Sequence, residues 1–209
     1  MLKILGKTSS INVRKVLWTC ALLEFPFELQ EYGAGTAGSV NSPEFLAMNP
    51  HGMVPVLIDQ GRILIESNSI CRYLASQAGR SDLLPQVPFA RAQVERWMDW
   101  QISDLNNAWR YAFMGLVRQS SDHQDLYLIR QSRDQWNQSM TLLEKHMEVS
   151  GQEYLIGATF SLADVVIGLS VHRWRSTPME KPDLPALECY FARLANQAGF
   201  AEFVANGYP

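Results

Sequence analysis

Four runs that read as β-strands fall before Gly79, interleaved with helical patterns, and none falls after it. No other feature constrains the fold as much. Leu2–Gly6 is a short apolar run of the kind that fits a buried strand. In Asn12–Glu24, residues Val13, Val16, Leu17, Cys20 and Ala21 share one face of an amphipathic helix. Pro26 ends it, and Phe25–Tyr32 alternates apolar and polar residues as a half-buried strand does. That βαβ unit predicts parallel pairing with a right-handed crossover. Residues 33–48 are a loop with a short helix at Ser42-Pro43-Glu44-Phe45. Met53–Asp59 and Arg62–Ile65 are two strands meeting in a tight hairpin at Gln60-Gly61, and Glu66–Ala78 is a helix stopped by Gly79. Residues 1–79 are therefore an α/β domain of order βαβ–ββα.

Residues 80–88, with Pro85 and Pro88, have the profile of a linker. Beyond them only helical spacing appears: Phe89–Arg118, Asp125–Val149, a helix opened by the capping box Ser161-Leu162-Ala163-Asp164, then Pro182–Asn196 and Phe200–Ala205. Residues 89–209 read as an all-helical domain.

Composition removes several function classes. A net charge of −3 offers no basic footprint for nucleic acid or anionic lipid. The first residues read as a strand and lack a signal peptide's apolar core, and no segment reaches the ~20 apolar residues a bilayer span needs. A cytoplasmic protein is expected. Three scattered cysteines make neither a disulfide framework nor a CxxC site, and the four histidines never fall at metal-ligand spacing, so no metal is expected. Cys20 and Cys71 continue apolar helical stripes and read as buried, inert thiols.

The segment Asn49-Pro50-His51-Gly52-Met53-Val54-Pro55 enters the third strand through a proline. Proline gives no N–H to a sheet and belongs at strand starts, edges or bulges. It leaves the backbone groups of Val54 outside the ladder, open to another extended partner. Two helix starts carry polar residues. Thr8-Ser9-Ser10-Ile11-Asn12 precedes the first helix, where capping explains at least one hydroxyl and a donor to a bound anion is the functional alternative. Glu66-Ser67-Asn68 opens another. There capping explains the serine, and the functional alternative is that Ser67 and the helix N-terminus hold a ligand carboxylate while Glu66 meets an ammonium, the two charges of an α-amino acid.

In this order and spacing "SxNVRKVLW", "NPxGxVPVL", "ESxxIxxYLA" and "FSLADV" resemble a cytosolic glutathione transferase of the bacterial theta- or phi-like, serine-type kind, over essentially the whole chain. The resemblance implies a thioredoxin-like domain that binds glutathione, a helical domain that meets a small hydrophobic electrophile, and a homodimer. It implies a cis bond before Pro55, with Val54 pairing its backbone to the cysteinyl unit of glutathione. Ser10 matches the catalytic serine, with Thr8, Ser9 and Asn12 competing for that role. Glu66 and Ser67 match the γ-glutamyl site, and His51 lies in the loop that reaches the glycine end. Met53 stands where many relatives carry a polar contact. Asp164 matches a structural capping box. Trp109, Arg110 and Phe113 on the long helix, and the Trp174 region, are candidates for the electrophile pocket between the domains, the alternative being that aromatics at helical spacing are core.

No cysteine lies in residues 7–13, which argues against the cysteine-based branches of the family, and no His/Asp pair is placed to deprotonate a serine. The expected nucleophile is the thiol of glutathione. An isomerase, a dehalogenase or a glutathione-dependent disulfide reductase would use the same first domain, and a non-enzymatic interaction module would use the same fold.

Overall fold

The computed structural model describes residues 1–209. In chain order the elements are β1 Leu2–Gly6, α1 Ile11–Leu22, β2 Phe27–Glu31, α2 Pro43–Met48, β3 Val56–Asp59, β4 Arg62–Ile65, α3 Ser67–Gln77, α4 Pro88–Trp100, α5 Asn106–Leu116, α6 Leu126–Ser150, α7 Leu162–Ser176, α8 Pro185–Leu194 and α9 Phe200–Phe203. They form two compact units.

The first unit holds Met1–Pro85 and Gln197–Asn206. Its sheet runs β2-β1-β3-β4, with β1 parallel to β2 and antiparallel to β3, and β3 antiparallel to β4. This is the thioredoxin-like βαβ–ββα domain expected from the sequence. Leu5, Phe45 and Val56 pack into one buried cluster, so α2 contributes to the core through Phe45. The β3 ladder begins at Val56, three residues later than the expected Met53. Pro55, in a cis peptide with Val54, has no N–H to give, which keeps both residues out of the ladder.

The second unit holds Gln86–Asn196 and Gly207–Pro209 and is helical. Its central helix is α7, buried along nearly its whole length. The helix expected over Phe89–Arg118 is interrupted, because Gln101–Leu105 winds as a π-helical turn between α4 and α5. The Ser103 hydroxyl donates to the Asp99 carbonyl at 2.8 Å, the local back-bonding by which a serine bends a helix.

One boundary differs from expectation. Gln197–Asn206 belongs to the first unit, where the sequence alone assigns it to the helical domain. Phe200, Phe203 and Val204 are buried there. The rings of Phe200 and Trp18 lie 6.0 Å apart, and those of Phe203 and Phe27 lie 6.4 Å apart. Local periodicity finds a helix but not the surface on which its apolar face is buried.

Candidate functional site

Strand register gathers the site. Leu5 of β1 is paired with Val56 of β3, and Val56 with Ile65 of β4. Beyond these three partners the chain leaves the same end of the sheet in three places: towards Ser10 and α1, back to Val54, and on to Glu66, Ser67 and α3. The βαβ–ββα order therefore brings three of the sequence-predicted segments to one rim.

Ser10 is the N-cap of α1 (φ −89°, ψ 121°), yet its side chain makes no capping hydrogen bond. The first turn holds no acidic residue, and Arg14 and Lys15 follow one turn on. A helix N-terminus without a cap leaves N–H donors and a partial positive charge facing outward, and nothing acidic cancels it here. Such a site favours an anion, and for a thiol it favours thiolate. Ser10 is half-buried, as are Ser9 and Asn12 beside it.

Val54 is half-buried and Met53 is 62% exposed. The loop that carries them is pinned by Asn49, whose own exposure is 3%. The amide of Asn49 donates to the Met53 carbonyl at 2.7 Å, and its Oδ1 accepts from the His51 N–H at 3.1 Å. Asn49 opens the Asn-Pro-His-Gly stretch ahead of the third strand, a run of turn formers, and two bonds from its one buried side chain make it the clamp of the loop. His51 itself is exposed.

Glu66 occupies the N-cap position of α3 with φ +69° and ψ 109°, a conformation that favours glycine. A non-glycine residue held there costs about 1–3 kcal/mol and persists where the surrounding structure over-determines it, most often at ligand sites. Nothing in Ile65-Glu66-Ser67 signals this. The exposed carboxylate of Glu66 sits beside Ser67, which is 4% exposed, and Asn68, 3% exposed. Lys15 Nζ donates to Asn68 Oδ1 at 3.2 Å, linking the second turn of α1 to the first turn of α3 inside the protein.

The two buried thiols of the first unit, Cys20 and Cys71, are unsuited to chemistry. Burial pushes Cys20 up to about 12, and the neighbouring Cys71 adds to the rise. Burial likewise raises Cys71 to about 11, against a hydrogen bond from Thr19 and the charges of Lys15 and Arg72. No three His, Cys, Asp or Glu side chains converge as a metal site requires.

The expected pocket residues on α5 separate. Phe113, 2% exposed, is in the core of the helical unit. It meets the Trp109 ring edge-to-face, and the Arg173 guanidinium lies in the corner between them, 4.2 Å from the Phe113 ring and 4.6 Å from that of Trp109. Trp109 is half-buried and donates from Nε1 to Asn106, and Arg110 is exposed. Helical spacing therefore joins three residues that do not share one surface. Trp174 is buried too, donating to Asn137 at 2.9 Å.

The comparisons agree with this architecture. Residues 5–82 match the family model of the glutathione S-transferase N-terminal domain. Glutathione S-transferase GstB of Escherichia coli (strain K12) is 34% identical over 207 residues, spanning 98% of each chain. Glutathione S-transferase 3 of Zea mays is 32% identical over 167 residues, covering 78% of this chain and 73% of that one. Among solved structures, the theta class glutathione S-transferase of Xanthomonas axonopodis pv. citri with glutathione bound superposes with a TM-score of 0.89 at 34% identity, covering 97% of this chain and 96% of that one. A likeness that runs the length of the molecule at this identity decides the matter: the protein belongs to the glutathione S-transferase family.

Proposed function

We propose that the protein binds glutathione at this rim and conjugates its thiolate to a small hydrophobic electrophile. The observation that carries the reading is the start of α1, where Ser10 takes the N-cap position, leaves its hydroxyl uncommitted to capping, and has no acid beside it. A cysteinyl thiol has a pKa near ~8.5 in water, and each unit of lowering corresponds to ~1.4 kcal/mol of preference for the thiolate. The Ser10 hydroxyl donates to the bound sulfur, and the helix N-terminus adds its field. Val54 pairs its free backbone groups with the cysteinyl unit. Glu66 meets the γ-glutamyl ammonium, and Ser67 with the first turn of α3 meets the carboxylate.

The thiol proton leaves to solvent. The sulfur lone pair then forms the S–C bond by one of two routes: a leaving group departs with its electron pair, or the π pair of an activated alkene moves to the adjacent carbon, which takes a proton from solvent. Holding both reactants in contact supplies the rest of the acceleration. Of the pocket residues expected on the long helix, Arg110 and the half-buried Trp109 have surface to offer an electrophile.

A homodimer and a cytoplasmic location belong to the same reading. Family membership supports both, and no helix is long and apolar enough to cross a membrane. Light scattering at micromolar concentration should give twice the 23.7 kDa chain mass, and a monomer mass rejects the dimer. The deciding experiment is glutathione titration by calorimetry, with ultraviolet detection of bound thiolate and a panel of aryl halides and activated alkenes. Absence of binding refutes the reading. Binding without turnover on any electrophile turns it towards an isomerase, a disulfide reductase or a binding module.

A further inference from the structure

α1 begins without a side-chain cap, so the turn that carries Ser10 needs another anchor. Helix ends with unsatisfied donors are the first parts of a fold to open. The Arg14 N–H donates to the Ser10 carbonyl at 3.0 Å, the first i→i+4 bond of the helix. The side chain of Arg14, with 0% exposure, reaches the segment that returns from the far end of the chain. Its Nη1 donates to the Val204 carbonyl at 3.3 Å and to Asn206 Oδ1 at 3.2 Å.

That segment is held along α1 at a second point, one helical turn further on. Trp18 Nε1 donates to the Ala198 carbonyl at 2.9 Å. Gly199 (φ +76°) lies against the helix so closely that a β-carbon there would stand 2.8 Å from Ala21 Cβ. Residues 197–206 are thus a strap fitted to the helix. Burying a guanidinium carries a large desolvation cost, and an apolar side chain of similar volume fills a core site as well or better. A buried Arg14 is explained by what it reaches.

We infer that Arg14 is a positioning residue, carrying the hold of the C-terminal strap Gln197–Asn206 to the first turn of α1 and so fixing where Ser10 presents its hydroxyl. The role rests on the glutathione reading above. A displacement of a donor by a fraction of an ångström weakens its bond to sulfur without disturbing the γ-glutamyl end, which α3 holds.

The test uses the full chain and three variants: Arg14→Lys, which keeps the charge and loses the planar fork, Asn206→Ala, which removes one acceptor near the terminus, and Ser10→Ala. The readouts are the ultraviolet titration of bound glutathione and the affinity for S-methylglutathione, which has no thiol to ionise. Arg14→Lys should raise the pH midpoint of the bound thiolate by about one unit, a tenfold loss of thiolate below that midpoint. Asn206→Ala should move it in the same direction by less, with S-methylglutathione affinity within about twofold in both. In a Ser10→Ala background neither substitution should move it further, because the hydroxyl they position is gone.

Midpoints that stay put in folded variants overturn the role, as do shifts that persist without Ser10 or that track a loss of S-methylglutathione. If Arg14→Lys does not fold, Asn206→Ala alone and combined with Ser10→Ala decides. A missing thiolate band in the unsubstituted protein rejects the glutathione reading and this role with it. A band that is present but unmoved by the variants rejects this role alone.

Discussion

Three α-helices in this protein have a serine N-cap; Ser42 of α2 accepts simply from the Phe45 N–H, and the serines of α1 and α7 stand at opposite extremes. At the start of α7, Ser161 and Asp164 satisfy each other's backbone in a full capping box. The Asp164 carboxylate is completely enclosed by donors: the Ser161 N–H at 2.8 Å and hydroxyl at 2.9 Å, the Leu155 N–H at 3.0 Å and the Tyr190 hydroxyl at 3.1 Å. Burial pushes this carboxyl up, and the same four donors oppose the rise. At the start of α1, Ser10 caps nothing, and its first turn carries no acid. One end is closed by its own side chains; the other is left open at the rim of the sheet. A helix N-terminus that completes its own bonding is architecture, and one that does not can hold a ligand.

The largest expected effect breaks the closed end. Asp164→Ala strands four donors in a buried site, two of them backbone N–H groups, and should destabilise the protein by about 3 kcal/mol or more. Urea unfolding of the variant measures it. A loss below about 1 kcal/mol would mean that water replaces the carboxylate and that the closed end is less closed than it looks.

Next comes the open end. Ser10→Ala removes a donor to the bound sulfur, worth about 2–4 kcal/mol of transition-state stabilisation, or about thirtyfold to nearly a thousandfold in rate at neutral pH. Its unfolding midpoint should not move, because no capping bond is lost. The opposite pattern, full turnover with a loss of about 1 kcal/mol in stability, would make Ser10 an ordinary cap and shift the role to Ser9 or Asn12.

Glu66 sharpens the contrast, since α3 also starts without a side-chain cap. Its φ of +69° suits glycine better than glutamate. Glu66→Gly should therefore stabilise the fold by about 1 kcal/mol while abolishing retention on a glutathione resin. A variant that is less stable, or that is retained as before, would remove the reason for keeping a strained carboxylate at that turn.

These contrasts mark what the sequence can disclose. The order of elements was legible because strand and helix periods differ, and the capping box at 161–164 was legible because its spacing is local. The polar segments at Ser10, Val54 and Glu66 were legible as turn chemistry. Which end of the sheet they share followed only from register, Leu5 to Val56 to Ile65. Arg14 meets Val204 and Asn206 across some 190 positions of chain, where no local pattern carries a signal. The positive φ of Glu66 is invisible for the same reason, being imposed by the strand before it and the helix after it. On α5 the helical spacing of Trp109 and Phe113 was correct, but it does not say which neighbour covers which face, and Arg173 covers Phe113.

The smallest effect belongs to a third kind of helix start, capped yet exposed. Asp125 opens the 25-residue α6, and its Oδ1 accepts from the Tyr127 N–H at 2.8 Å and the Leu128 N–H at 3.2 Å. Water competes for those donors, so the cap saves only part of what the buried box at Asp164 saves. Asp125→Ala should cost about 1 kcal/mol. Asp125→Asn keeps the acceptor and loses only the charge facing the helix N-terminus, a loss of a few tenths of a kcal/mol that salt screens. Both values come from urea unfolding at low and high ionic strength. Neither substitution should alter the bound-thiolate titration, because α6 lies in the other unit and its N–H groups are already taken. If Asp125→Ala matched Asp164→Ala in cost, exposure would not be what separates the two caps. The ranking of helix ends by how fully they close on themselves would then have to be replaced by a ranking on helix length, since α6 is the longest helix in the chain.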